Sequence, residues 1–275
     1  MGKDNRILNG VKFLVLSVIL VLYLFPFFLV LINSFKERKE ILSNPLGLPP
    51  ALNLSNYIYA FTKMNYIRGF SNSLVITVFS VFLIVLLSSM TAYIFVRKKW
   101  KVNQFMFFFM VASMIIPFQG IMIPLVKIYG SINMMNSKWA LIYMYVGFGA
   151  SLAVFMFHGF IKSIPLELEE AATIDGCSQL QTFFKIVFPL LKPVTATISI
   201  LDILWIWNDF LLPYLVLMVP EERTLPLSVF YFYGTYTIEY GPAMAALVLA
   251  TMPVIVVYLL RQKQIIEGVL KGSIK

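Results

Sequence analysis

Two aspartates in an otherwise apolar run are the groups in this chain best placed to do chemistry. Asp202 and Asp209 interrupt the stretch Val194–Pro220, and a carboxylate at the centre of a bilayer costs roughly 2.5–3.5 kcal/mol on insertion scales. Seven residues apart, they fall on nearly the same face of a helix, with Asn208 beside the second. Two such costs would not be tolerated toward lipid, so this face looks into a helix bundle or an aqueous path. There the carboxylates could carry protons, hydrogen-bond a polar solute, or bond across to neighbouring helices. Enzyme chemistry finds no support. One histidine and one cysteine supply neither a nucleophile–base pair, nor a His-rich metal centre, nor an internal disulfide. No GxxxxGK[ST] stretch is present, so any nucleotide hydrolysis belongs to another chain.

The second concentration of polar residues is SIPLELEEAATIDGCSQLQTFFKIVFPLLKP, 163–193, which reads as a helical hairpin. Pro165 stands near a helix start, where its missing N–H costs nothing. Glu167, Glu169 and Glu170 put negative charge on the first turns, where the helix dipole favours it. Asp175-Gly176 is a stop signal, and Ser178 with Gln181 has the form of a capping box that starts a second helix. That helix carries Leu180, Phe183, Phe184, Val187 and Phe188 on one stripe, with Gln179, Gln181, Thr182 and Lys185 opposite.

The elements that must position these groups lie in lipid. The 275 residues are 60% hydrophobic with a mean hydropathy of +0.84, well beyond a water-soluble domain. Six spans of about 20 apolar residues result, at about 13–35, 70–96, 102–126, 139–161, 190–219 and 240–260, and they form one domain, 1–275. The first is too long for a signal-peptide core and is read as a retained helix. Lys and Arg outnumber Asp and Glu, 22 to 13. Positive-inside loops explain that excess without nucleic acid, and the cluster Arg97-Lys98-Lys99-Trp100-Lys101 is decisive. It sets both termini, the 163–189 loop and the 261–275 tail in the cytoplasm. The loop 36–68 is then external, with an extended or turning NPLGLPP run. In span three, Pro117 and Pro124 flank Phe118-Gln119-Gly120, as a broken helix beside a pathway or a simple packing kink would. Gly147, Gly149, Ala150 and Ser151 suit close helix packing in span four.

Several of these stretches resemble one family. Glu170-Ala171-Ala172, Asp175-Gly176, Phe183, Ile186, Pro189 and Pro193 are similar to the EAA motif of ABC importer permeases, with Cys177 in place of the usual alanine. Trp207-Asn208-Asp209-Phe210-Leu211-Leu212-Pro213 resembles the WNDF-x-x-P signature of maltose-type carbohydrate permeases. IPFQGIMIP, Asn56-Tyr57 and Asn72-Ser73 are similar to further stretches of such permeases. The resemblance implies an all-α membrane protein of the type I importer class: six transmembrane helices and a cytoplasmic coupling hairpin. It implies that Glu169, Glu170, Ala171, Ala172, Asp175 and Gly176 engage an ATPase. Glu267, Gly268 and Gly272 of the tail match an ending that reaches between ATPase subunits. Gln119, Trp205, Trp207, Asn208 and Asp209 would then line the solute path.

The resemblance leads to the expectation of one membrane subunit of a binding-protein-dependent sugar importer. It would work beside a second homologous permease, two ATPase subunits and an external solute-binding protein, in the plasma membrane of a bacterium or archaeon. No catalytic residue, metal or cofactor is expected on this chain; ATP and Mg would be held by the ATPases. An importer of a polyol or glycerol phosphate would share these motifs. A stand-alone proton-coupled carrier using Asp202 and Asp209 should show an inverted repeat, and none is visible.

Overall fold

Long apolar runs dictate long helices, and four are long and apolar enough to cross a membrane, two of them carrying an internal proline, Pro26 and Pro253. The computed structural model describes residues 3–234 and 237–273, with side chains over 9–234, 237–260 and at 262. In chain order come α1 (Lys3–Asn33), α2 (Arg38–Ser43), α3 (Ser55–Lys63) and the 32-residue α4 (Tyr66–Arg97). Next are α5 (Lys101–Ser113), α6 (Phe118–Ser131), α7 (Lys138–Ile161), α8 (Glu167–Ile174) and α9 (Gln179–Thr182). A π turn, Phe183–Val187, leads through α10 (Phe188–Leu190) into α11 (Lys192–Asn208). The chain ends with α12 (Leu211–Val216), α13 (Leu225–Ser228) and α14 (Tyr240–Ser273). Two helix pairs are apolar enough to span together but are sharply bent: α5 with α6, by 106°, and 179–190 with α11, by 76°. Counting each bent pair as one span gives six.

The first bend has its cause in the sequence. Pro117 has no N–H to donate to the preceding turn, so α5 stops at Ser113 and α6 starts with Pro117 as its N-cap. Pro124 is carried inside α6.

The chain divides into two compact units. The first comprises Met1–Tyr66 and Ser228–Pro253. Here the Asn56-Tyr57 pair fastens the end of α1. Asn56 Nδ2 donates to the carbonyls of Ser34 and Lys36, both at 2.9 Å, and Tyr57 Oη lies 2.7 Å from Ser34 Oγ. Lys36 is buried, its ammonium donating to the Asn44 carbonyl at 2.9 Å. The NPLGLPP run forms turns and irregular backbone, as its prolines require. Most of α1 between Val11 and Phe28 is exposed apolar surface.

The second unit, Ile67–Leu227 and Val254–Lys275, holds the rest. A buried core runs through α4, α7 and α11, with Ile84, Tyr145, Phe157, Val187, Leu191 and Ile198 among its members. Gly149 of α7 is packed hard against α4, where an added Cβ would stand 2.5 Å from Ile84 Cδ1. Asn72-Ser73, at the N-terminal end of α4, takes hold of the 217–225 loop. Asn72 Nδ2 donates to the carbonyls of Glu221 and Arg223, and Ser73 Oγ accepts from Leu225 N at 2.8 Å. Asn136, in the left-handed region at φ 58°, accepts from the N–H groups of Met218 and Val219.

Candidate functional site

At the Arg97 end of the second unit the hairpin is built from local rules. α8 begins after Pro165 with three glutamates in its first turn. It ends in a Schellman motif: Cys177 N donates to the Ala172 carbonyl at 2.9 Å and Gly176 N to that of Thr173 at 3.0 Å. The motif needs a left-handed residue, and Gly176 supplies it at φ 84°. The capping box then forms in both directions, Gln181 N to Ser178 Oγ and Ser178 N to Gln181 Oε1. The result is two short arms joined by a fixed corner.

The residues singled out on this hairpin do not share one environment. Glu170, Ala171, Asp175 and Gly176 are exposed, with Ile174 beside them at 86% exposure. Glu169 and Ala172 are buried. Glu169 faces α4: its Oε2 accepts from Tyr93 Oη at 2.7 Å, and its Oε1 from Arg97 Nε at 2.8 Å. Arg97 Nη2 also donates to the Ile164 carbonyl at 3.0 Å. A groove of about 640 Å³ runs along this junction, lined among others by Arg97, Lys98, Glu170, Thr173 and Cys177. The apolar stripe of the second arm splits in two. Phe183 and Val187 are buried and Phe188 partly so, whereas Leu180 and Phe184 are exposed, and Thr182 is buried instead of facing out. A π turn, Phe183–Val187, also interrupts the 3.6 periodicity on which the stripe was read.

The second group of candidates gathers where α11 ends. The helix stops at Asn208, and Asp209 takes extended backbone at φ −68°, ψ 131°. The expected helical alignment of Asp202 with Asp209 therefore breaks one residue short. Asp202 sits inside α11, buried, and its Oδ2 has no hydrogen-bond partner among the described residues. Asp209 instead bridges two helices. It accepts from Leu211 N at 3.0 Å, tying the start of α12, and from Tyr145 Oη of α7 at 2.9 Å. Trp205 stands edge-on to the same Tyr145 ring, centroids 5.5 Å apart. Trp207 turns elsewhere: it is buried edge-on to Phe70, and its Nε1 finds no acceptor among the described residues. Asn208 is exposed, its amide donating back to the Leu204 carbonyl at 2.7 Å. Gln119 is exposed in the first turn of α6, a helix that packs against α12. Glu267, Gly268 and Gly272 lie on α14, but in a stretch whose burial and contacts fall outside the described residues.

Two features escape sequence reasoning. Tyr145, buried and holding both Asp209 and Trp205, is one tyrosine among many in the spans and belongs to no motif. A cavity of about 540 Å³ opens along α4, α5, α6 and α7, where Ser88, Ser113, Ser151, Tyr129, Tyr143 and Phe118 contribute to its wall. Ser113 and Ser151 are hydrogen-bonded across it, Oγ to Oγ at 2.9 Å. The signal available was the Ser and Tyr content of spans next to a proline break.

Comparison with known proteins gives these features a setting. Residues 84–270 match the family model described as "Binding-protein-dependent transport system inner membrane component". AmyC of Thermoanaerobacterium thermosulfurigenes, described as a probable starch degradation products transport system permease protein, is 44% identical over 94% of both chains. The multiple sugar-binding transport system permease protein MsmG of Streptococcus mutans is 36% identical over the full length of both. The melibiose/raffinose/stachyose import permease protein MelC of Bacillus subtilis is 34% identical over 99% of this chain and 98% of its own. In fold, a chain of a bacterial ABC transporter that imports the acidic polysaccharide alginate superposes with a TM-score of 0.82. It covers 96% of this chain and 98% of its own at 20% identity.

Proposed function

This chain belongs to the family of inner membrane components of binding-protein-dependent transport systems, and we propose that its solute is a short oligosaccharide. The family makes it a multi-pass membrane permease subunit. Sugar as the cargo is supported by the relatives, whose names refer to starch products, multiple sugars and raffinose-type sugars. The surface around the α11–α12 break suits such a solute. A half-exposed indole at Trp205 offers a face for a pyranose ring. Asn208 and Gln119 offer amides that both donate and accept, as vicinal hydroxyls require. Asp209 and Tyr145 fix the backbone break beside which Trp205 and Asn208 stand.

The observation that carries the mechanism is the exposed tip of the hairpin, Glu170, Ala171, Ile174 and Asp175, held on a corner with both ends capped. Such a tip is a rigid docking element, and this subunit borrows its driving force through it from ATPase partners that bind ATP and Mg. The chain itself performs no catalysis. A second permease chain completes the path, the Arg97 end and both termini face the cytoplasm, and an external binding protein delivers the sugar. As ATPase partners close, they carry the tip as a solid piece and the spans rock between inward and outward openings. Glu170→Lys tests this in the assembled transporter. Sugar-stimulated ATP hydrolysis should vanish while the subunit still inserts and pairs; full stimulation would remove the docking assignment.

A further inference from the structure

We infer that Glu169, Tyr93 and Arg97 form a clamp that makes the hairpin move as part of α4, so that Glu169 is a positioning residue and not a contact to the ATPase. The inference rests on the proposed role of the hairpin tip as a docking element. Tyr93 and Arg97 are one turn apart on α4 and therefore share a face. From that face they grip both arms of the hairpin. On the first arm, Glu169 receives Tyr93 Oη on one carboxylate oxygen and the Arg97 guanidinium on the other. On the second arm, the Tyr93 ring packs against buried Phe183, centroids 5.3 Å apart. Arg97 Nη2 reaches a third point, the Ile164 carbonyl, in the link from α7 to α8.

The clamp is buried: Tyr93 and Glu169 are each 6% exposed. Both oxygens of Glu169 are therefore engaged inside the protein, while the neighbouring Glu170 is exposed. The two adjacent glutamates have opposite jobs, one turned to the membrane helix and one to the outside. A force applied at the tip passes through three separate attachments into the end of a 32-residue helix. Broken at one attachment, the hairpin would still dock but would swing.

Cys177 is the chain's single cysteine and lies half-buried on the hairpin corner. A nitroxide attached there to the full-length chain in nanodiscs reports hairpin mobility directly. Glu169→Gln and Arg97→Gln should each sharpen its spectrum. The double variant should be no more mobile than Arg97→Gln alone, since that change already removes the ion pair together with the Ile164 attachment. Tyr93→Phe should shift it in the same sense by less. An unchanged spectrum in Glu169→Gln, or additive changes in the double, would overturn the clamp. In the assembled transporter, Glu169→Gln should still capture its ATPases on a column, while sugar-stimulated hydrolysis falls about tenfold, a size usual for coupled neighbours. Complete loss of capture would make Glu169 a contact residue and refute the inference. A native subunit that captures no ATPase would overturn the docking reading instead, and the nitroxide result would still decide the clamp.

Discussion

Tyr145 shows how much one side chain can organise in this molecule. Its hydroxyl holds Asp209 at the broken end of α11, and its ring meets Trp205. Tyr145→Phe keeps the ring and removes only the hydrogen bond. A bond to a charged acceptor contributes about 1.5–3 kcal/mol, so the purified subunit should melt at a lower temperature in detergent. Asp209→Asn should lower it comparably, and the pair should not add. An unaltered melting temperature in Tyr145→Phe would show that the bridge carries no stability. Gly176 permits an equally sharp test. Nothing lies within 4 Å of where its Cβ would be, so only its left-handed backbone restricts the position. Gly176→Val should cost about 1–2 kcal/mol at the hairpin corner and reduce sugar-stimulated ATP hydrolysis, whereas Gly176→Asn, which tolerates that conformation, should retain most of it.

At the scale of elements, what could be read from sequence was what is decided locally. The capping box at Ser178 and the glycine stop at Gly176 involve residues within a few positions, and both are present. Glu169 was legible as one of three acids in a first turn, and by resemblance as an ATPase contact, but its hold on α4 was not, because its partners are 72 and 76 residues away. The alignment of Asp202 with Asp209 assumed a helix continuing through both, and the chain leaves α11 between them. The second arm also contains a π turn, which a periodicity of 3.6 cannot register. Close packing at Gly149, in contrast, was foreseeable from residue size. Here the contact with Ile84 allows a reciprocal test: Gly149→Val should destabilise the α4–α7 pair by about 1–3 kcal/mol through overpacking. Adding Ile84→Ala should recover much of that loss in thermal unfolding. Failure of the second change to help would mean that the helices are not held at this point.

For the whole molecule, the six-span reading and the structure agree in placing apolar helices along nearly the entire chain, with two of the spans folded into bent pairs. The exposed apolar flank of α1 was not legible, since a uniformly apolar segment gives no clue to which side meets protein. The proposed orientation can be checked through Cys177 as well. In right-side-out vesicles a membrane-impermeant maleimide should leave it unmodified, and permeabilisation should expose it. Labelling of intact vesicles would invert the topology.

The central claim is that this bundle moves sugar only when a separate motor pulls on its hairpin. Proteoliposomes containing the subunit, its partner permease, the ATPases and the binding protein would be loaded with ATP and offered radiolabelled maltotriose. The account predicts accumulation that disappears when ATP, the ATPases or the binding protein is left out. Accumulation by the subunit alone, or in the absence of ATP, would contradict it.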